Sequence, residues 1–142
     1  DVQEMRIQGC LTNDPFPVTT ESGLPNETVE RGARVFRRLC AVCHTIEGSN
    51  AVAHLTETWD RQQMQMNLAK LQQTKPFMPP FAGNVNDLDC LVHYIRWVHE
   101  DRPDSWTDHT TEEDREQMQK WLDEAGTEPA TQSARHVGGT DQ

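Results

Sequence analysis

Five residues, Cys40-Ala-Val-Cys-His44, constrain this chain more than any other stretch. They set two thiols one helical turn apart with an imidazole beside the second. Three chemistries use thiols at this spacing: a zinc knuckle, a redox dithiol, or covalent attachment of a haem. A zinc site needs four ligands, usually completed by a second Cys or His pair at matching spacing. No second CxxC and no HxxxH follows, and Cys10 and Cys90 stand alone. A thioredoxin-type dithiol sits between a strand and a helix of an α/β fold. Strand-like alternation is almost absent here, so the expected class is all-α. For the third chemistry, one turn between the thiols lets both reach the two vinyl groups on one edge of a macrocycle. The adjacent histidine then lies beneath the ring and offers a nitrogen to the iron. On the motif alone, two buried thiols beside a surface histidine stay open as the bland alternative.

A six-coordinate haem needs a ligand on its other side, and a His/Met pair is the cytochrome c pattern. Downstream of His44 comes KPFMPPFAGN, residues 75–84, with Met78 followed by two prolines. Proline fixes its own φ and pushes the residue before it out of the helical region. The stretch therefore reads as a stiff, extended strap, apolar around the methionine through Phe77, Phe81 and Ala82. A fixed backbone and an absence of water are what hold a soft thioether against an iron. Met64 and Met66 fall in a helical pattern, and Met5 and Met118 in the extensions. His54 is the one rival to Met78; His93, His99, His109 and His136 read as surface or satisfied side chains. Trp59 and Arg61 are candidates for contact with haem propionates, since indole N–H and cationic groups suit carboxylates. Lys75 reads as solvated surface.

The chain has 142 residues, enough for one domain, yet only 35% are apolar and the mean hydropathy is -0.80. That is thin for a self-sufficient core, and a haem would add apolar surface around which side chains pack. No apolar run approaches the ~18 residues needed to cross a bilayer, and no charged-then-apolar signal stretch is found within these residues. The chain begins at Asp1 rather than Met, as a processed chain would. The formal charge of -10 is uneven: residues 1–25 carry -3, residues 26–100 are neutral, and residues 101–142 carry -7. An acidic tail argues against nucleic acid as a partner and suits a basic protein surface or solubility in salt.

Three zones follow. Residues 1–25, with Pro15, Pro17 and Pro25, read as an extended arm. Residues 26–100 form the compact unit, and residues 101–142 an acidic extension with one amphipathic helix. In the unit, Asn26 caps a helix whose Val29, Ala33, Phe36 and Cys40 share a stripe. Arginines 31, 34, 37 and 38 lie largely off that stripe, as a solvated face or a docking patch. A second helix covers residues 60–73, with Met64, Leu68 and Leu71 aligned. A third starts at Asn86, with Asp89 completing a near capping box, and carries Leu88, Leu91, Ile95 and Val98 with Tyr94 alongside. A fourth spans about 112–125, capped by Thr111 and ended by Gly126. Its Met118, Trp121, Leu122 and Ala125 are too few to hold a lone helix, so it should dock on the unit or on another subunit. Trp106 is a second possible anchor.

Gly32-x-x-Val35-Phe36 leading to Cys40-x-x-Cys43-His44, then Met78-Pro-Pro-Phe81-x-Gly83, then Leu91-x-x-Tyr94-Ile95, resembles a class I cytochrome c over residues 26–100. The resemblance implies one covalent haem c, with Cys40 and Cys43 as thioether attachments and His44 and Met78 as axial iron ligands. It implies that the first and last helices cross near the haem, Gly32 and Phe36 against Leu91 and Tyr94. It also implies single-electron transfer rather than enzyme catalysis. CHTIEG and FMPPFAGN are similar to the monohaem domains of larger bacterial membrane oxidoreductases. That similarity implies redox partner proteins, other subunits of a membrane or periplasmic complex, and a periplasmic site or the outer face of the cytoplasmic membrane. A freely diffusing shuttle is the alternative. The same compartment tolerates disulfides. A Cys10–Cys90 bridge would close a loop of about 80 residues and contribute ~4 kcal/mol in the chain-entropy model; two unrelated thiols are the other reading. IQGC, ending at Cys10, is faintly similar to a lipoprotein cleavage box, but a lipidated cysteine would be the first residue and Cys10 is not.

Overall fold

A computed structural model describes residues 1–12, 23–41, 44, 51–75 and 78–126. The described residues form seven helices and no strand, as an all-α fold requires: α1 (Val2–Gln8), α2 (Glu27–Leu39), α3 (Val52–Leu55), α4 (Arg61–Ala69), α5 (Leu71–Thr74), α6 (Val85–His99) and α7 (Glu112–Ala125). Among them, no helix is long and apolar enough to cross a membrane.

Helices α2 and α6 make the principal packing pair, and sequence chemistry explains both. Asn26 accepts the Val29 N–H at 2.9 Å, while Glu27 and Glu30 sit in the first turn and Arg37 and Arg38 in the last. These charges complement the helix dipole. α2 buries Val29, Gly32, Ala33, Val35 and Phe36. Gly32 meets α6 backbone to backbone: a Cβ there would lie 2.0 Å from the Cys90 carbonyl oxygen and 2.6 Å from the Tyr94 Cβ. The Phe36 and Tyr94 rings fill the space beside that contact, centroids 5.9 Å apart, and Tyr94 stacks on Trp97. α6 is buried nearly all round, its Leu88, Leu91 and Ile95 fully so.

The start of α6 differs from the sequence reading. Asn84, not Asn86, is the cap, and Asp87, not Asp89, completes the capping box. Both pairs have the right spacing, and tertiary partners decide between them. Asp87, with no exposed side-chain surface, also accepts the Cys10 N–H at 2.8 Å and pairs with Arg31 at 2.9 Å. Asn86 and Asp89 instead receive Arg115 of α7. The second expected helix also breaks, into α4 and α5 at Lys70, whose φ and ψ are -109° and 41°.

The N-terminal arm is not wholly extended. Its prolines begin at residue 15, and the preceding VQEMRIQ forms α1, capped by Asp1, which accepts the Glu4 N–H at 2.9 Å. Pro15 and Pro17 lie outside the described residues. Cys10 and Cys90 are buried free thiols, so no bridge joins them. Burial and the nearby Asp87 push the Cys10 thiol up, and burial with Asp89 holds Cys90 at about 12.

The C-terminal extension docks on its own chain. Thr111 caps α7 and Gly126, at φ 72°, ends it. Met118 and Leu122 are buried, and the helix packs on α4 and α6. Trp106 anchors the segment between: its Nε1–H donates to His93 Nδ1 at 3.0 Å, and Arg96 lies over its ring. An indole N–H can only donate, so His93 Nδ1 carries the lone pair and Nε2 the proton. Nε2–H donates to Thr110 Oγ1 at 2.9 Å, and that hydroxyl donates to Asp89. Protonating Nδ1 would set two N–H groups against each other. Burial depresses the His93 pKa, with Asp89 and Asp108 opposing and Arg96 and Arg61 reinforcing. A depressed histidine contributes stability above its unfolded value of ~6.5 that is lost as pH falls through the folded value. Acidification below the unfolded value should therefore lower the thermal midpoint. His93→Gln, which keeps an acceptor and cannot become charged, should flatten that part of the pH profile. An unchanged profile would show that His93 is not its source.

Candidate functional site: a haem attachment turn and a methionine strap

The attachment motif grows out of the C-terminus of α2. Cys40 is its cap residue and donates its N–H to the Phe36 carbonyl at 2.8 Å. The His44 N–H reaches back to the Cys40 carbonyl at 2.9 Å. That five-residue closure places the histidine one turn beyond the first thiol. Cys40 is partly buried against the core, and burial pushes its thiol up to about 12. Cys43 and Val42 lie outside the described residues.

The methionine segment is fixed by its own backbone. The Met78 N–H closes a turn onto the Lys75 carbonyl at 2.8 Å. Pro79 is exposed, but Pro80 and Phe81 are buried, and Phe81 is 3% exposed. Met78 itself is partly buried. Gly83 lets the chain turn in tightly: a Cβ there would come within 2.9 Å of Phe81 Cε2 and of Asp87 Cβ. Phe77 lies outside the described residues. The segment expected to be extended thus enters Met78 through a turn, and its buried part is Pro80 and Phe81.

Trp59 packs partly buried against the core, beside the start of α4. Arg61, the first residue of α4, turns its Nη2 to Asp108, which Arg96 also engages. Burial works to raise the Asp108 carboxyl, and the two guanidiniums outweigh it and hold it below its ordinary value. One edge of Arg61 is thus committed to the C-terminal extension. His54, the rival ligand, is exposed and faces Glu57 at 3.3 Å. His99 Nε2 lies 3.0 Å from Thr56 Oγ1 and 3.1 Å from the Ala53 carbonyl oxygen, beside α3. His109 is exposed and His136 lies outside the described residues. Arg31 is committed to Asp87. Sequence reading missed Asp87 as a buried hub, although Asn84-x-x-Asp87 carries the capping-box spacing.

The donor set fits a haem c. It offers a thiol in desolvated surroundings, an imidazole one turn on, and a thioether on a stiff, apolar strap, with soft and borderline ligands of the kinds that haem iron takes.

Residues 27–95 match the family model described as cytochrome C oxidase, cbb3-type, subunit III. This span is a class I c-type cytochrome-like domain. It runs from the first residue of α2 into the last turns of α6, enclosing the attachment turn and the strap. A cytochrome c domain of this family implies a covalently held haem c and electron transfer, in the setting of an electron-transfer complex. Such domains are typically extracytoplasmic. No curated protein and no solved structure matches the chain significantly.

Proposed function

We propose that this cytochrome domain carries single electrons on one low-spin haem c. Cys40 and Cys43 hold the haem through thioethers, and His44 and Met78 are its axial ligands. The observation that supports the reading is that two segments are each fixed by their own backbone: Cys40 and His44 by the bond that continues α2, and Met78 by its turn onto Lys75, followed by buried Pro80 and Phe81. When bound, the haem supplies a one-electron couple at its iron. The protein's part is to fill both axial positions, exclude water with apolar side chains, and hold its shape when the charge changes. Two thioethers prevent loss of the group. Trp59, and Arg61 through donors that Asp108 does not use, are the proposed propionate contacts. In this reading residues 26–100 form the haem unit, residues 1–25 its arm and residues 101–142 its extension.

The chain works as a subunit of a larger redox complex on the periplasmic side of the membrane, a reading supported by the family match. The docking of α7 on α4 and α6 favours the second reading, a freely diffusing carrier, because the buried face of α7 is spent on its own chain. Co-purification with membrane partners separates the two.

The ferric spectrum tests the ligand assignment. The wild type should show a weak near-infrared sulfur-to-iron band, and Met78→Ala should lack it and bind carbon monoxide when reduced. Persistence of the band in the variant overturns the assignment of Met78.

A further inference from the structure

Arg6 is a residue that the haem reading leaves unused. It reaches from α1 across two other parts of the chain. Its Nε and Nη2 donate to the Phe81 carbonyl at 3.0 and 2.8 Å. Its Nη1 donates to the Leu122 carbonyl at 2.8 Å, and Nη2 also donates to the Gly126 carbonyl at 2.9 Å. Leu122 and Gly126 stand at the C-terminal end of α7, where carbonyls lack helical partners and the dipole favours a cation. The planar, fixed fork of a guanidinium suits three separate acceptors; an ammonium on a flexible stem does not. Phe81 lies just past the prolines of the Met78 strap. With the φ angles of Pro79 and Pro80 fixed, few free torsions separate the clamped carbonyl from the methionine. The Phe81 ring is buried and lies close to Gly83, where an added Cβ would come within 2.9 Å of Cε2. The far end of the arm is fixed too, by the Cys10 N–H on Asp87.

We infer that Arg6 is a positioning residue for the axial methionine, clamping the strap between the N-terminal arm and α7 so that the Met78 thioether seldom leaves the iron. The inference rests on Met78 being the ligand. It gives the two extensions a role in the redox site: each contributes to one clasp over the segment that carries the sulfur.

The test is entry of an added ligand, which must wait for Met78 to leave. Ferric wild type, Arg6→Lys, Arg6→Ala and Met78→Ala proteins are mixed with excess imidazole. The Soret shift is followed, with loss of the near-infrared band in the first three. Arg6→Ala should react about tenfold faster than wild type, as loss of charged hydrogen bonds to the strap would give. Arg6→Lys should fall between them, and Met78→Ala should bind with no slow opening step. Equal rates for Arg6→Ala and wild type, with Met78→Ala faster than both, overturn the clamp and leave the ligand assignment standing. Equal rates for Met78→Ala and wild type overturn the ligand assignment itself, and the clamp with it. If Arg6→Ala does not fold, Arg6→Lys decides: faster entry supports the clamp, and a wild-type rate overturns it.

Discussion

Gly32→Ala is expected to destabilise the protein by about 3 kcal/mol or more, with the crossing of α2 and α6 forced apart. The added methyl carbon would stand 2.0 Å from the Cys90 carbonyl oxygen, 2.7 Å from its carbonyl carbon and 2.6 Å from the Tyr94 Cβ. Two of those atoms are backbone of a buried helix, so no rotamer change relieves the contact. Alanine is the better helix former by ~1 kcal/mol, but that gain acts along α2 alone and is smaller than the cost of separating two packed helices. Phe36 packs tilted on Tyr94 and Tyr94 stacks on Trp97 beside the same crossing, so the three rings would lose contact together. Chemical denaturation followed by far-ultraviolet circular dichroism measures the change. A midpoint equal to wild type would mean that the helices do not approach here as described.

Asp87→Ala should cost roughly 3–4 kcal/mol, as removal of one partner from a buried charged network does. The carboxylate serves three parts of the chain: the arm through the Cys10 N–H, α2 through Arg31, and its own helix start through the Asn84 N–H at 3.0 Å. Removing it leaves two backbone donors without acceptors. Arg31, 39% exposed, can turn to water, which trims its share of the loss. Asparagine in place of the aspartate keeps one acceptor oxygen for the two backbone donors but points its amide hydrogens at the guanidinium, so Asp87→Asn should lose about half as much. Thermal unfolding of the three proteins ranks them. An alanine variant as stable as wild type would remove Asp87 from the centre of the fold.

What could be read from sequence was mostly local. Asn26, Thr111 and Gly126 set helix ends through their own side chains or φ angles, and all three act where expected. Gly32, Phe36, Leu91 and Tyr94 formed a recognisable crossing because spacing on two helices encodes it. Val35 escaped the expected stripe because α2 is buried over a wider face than one line of residues. The start of α6 was misread because Asn84 and Asn86 carry equal local signals, and only long-range partners separate them. The partners of Arg6, Arg31 and Arg61 stayed hidden, because acceptors 120, 56 and 47 residues away leave no periodic pattern. α1 was obscured by prolines that begin only after it ends. For the candidate site, the order of the motifs carried the chemistry. The structure adds the backbone bonds that fix Cys40, His44 and Met78 locally.

The hydrogen bond from Arg6 to the Gly126 carbonyl brings early and late residues of the chain within one side chain of each other. Mechanically, the molecule is a loop fastened at its neck. Tension applied between residues 1 and 126 would load that guanidinium fastening before it reached the α2–α6 crossing, and a tether attached at either point would emerge from the same flank.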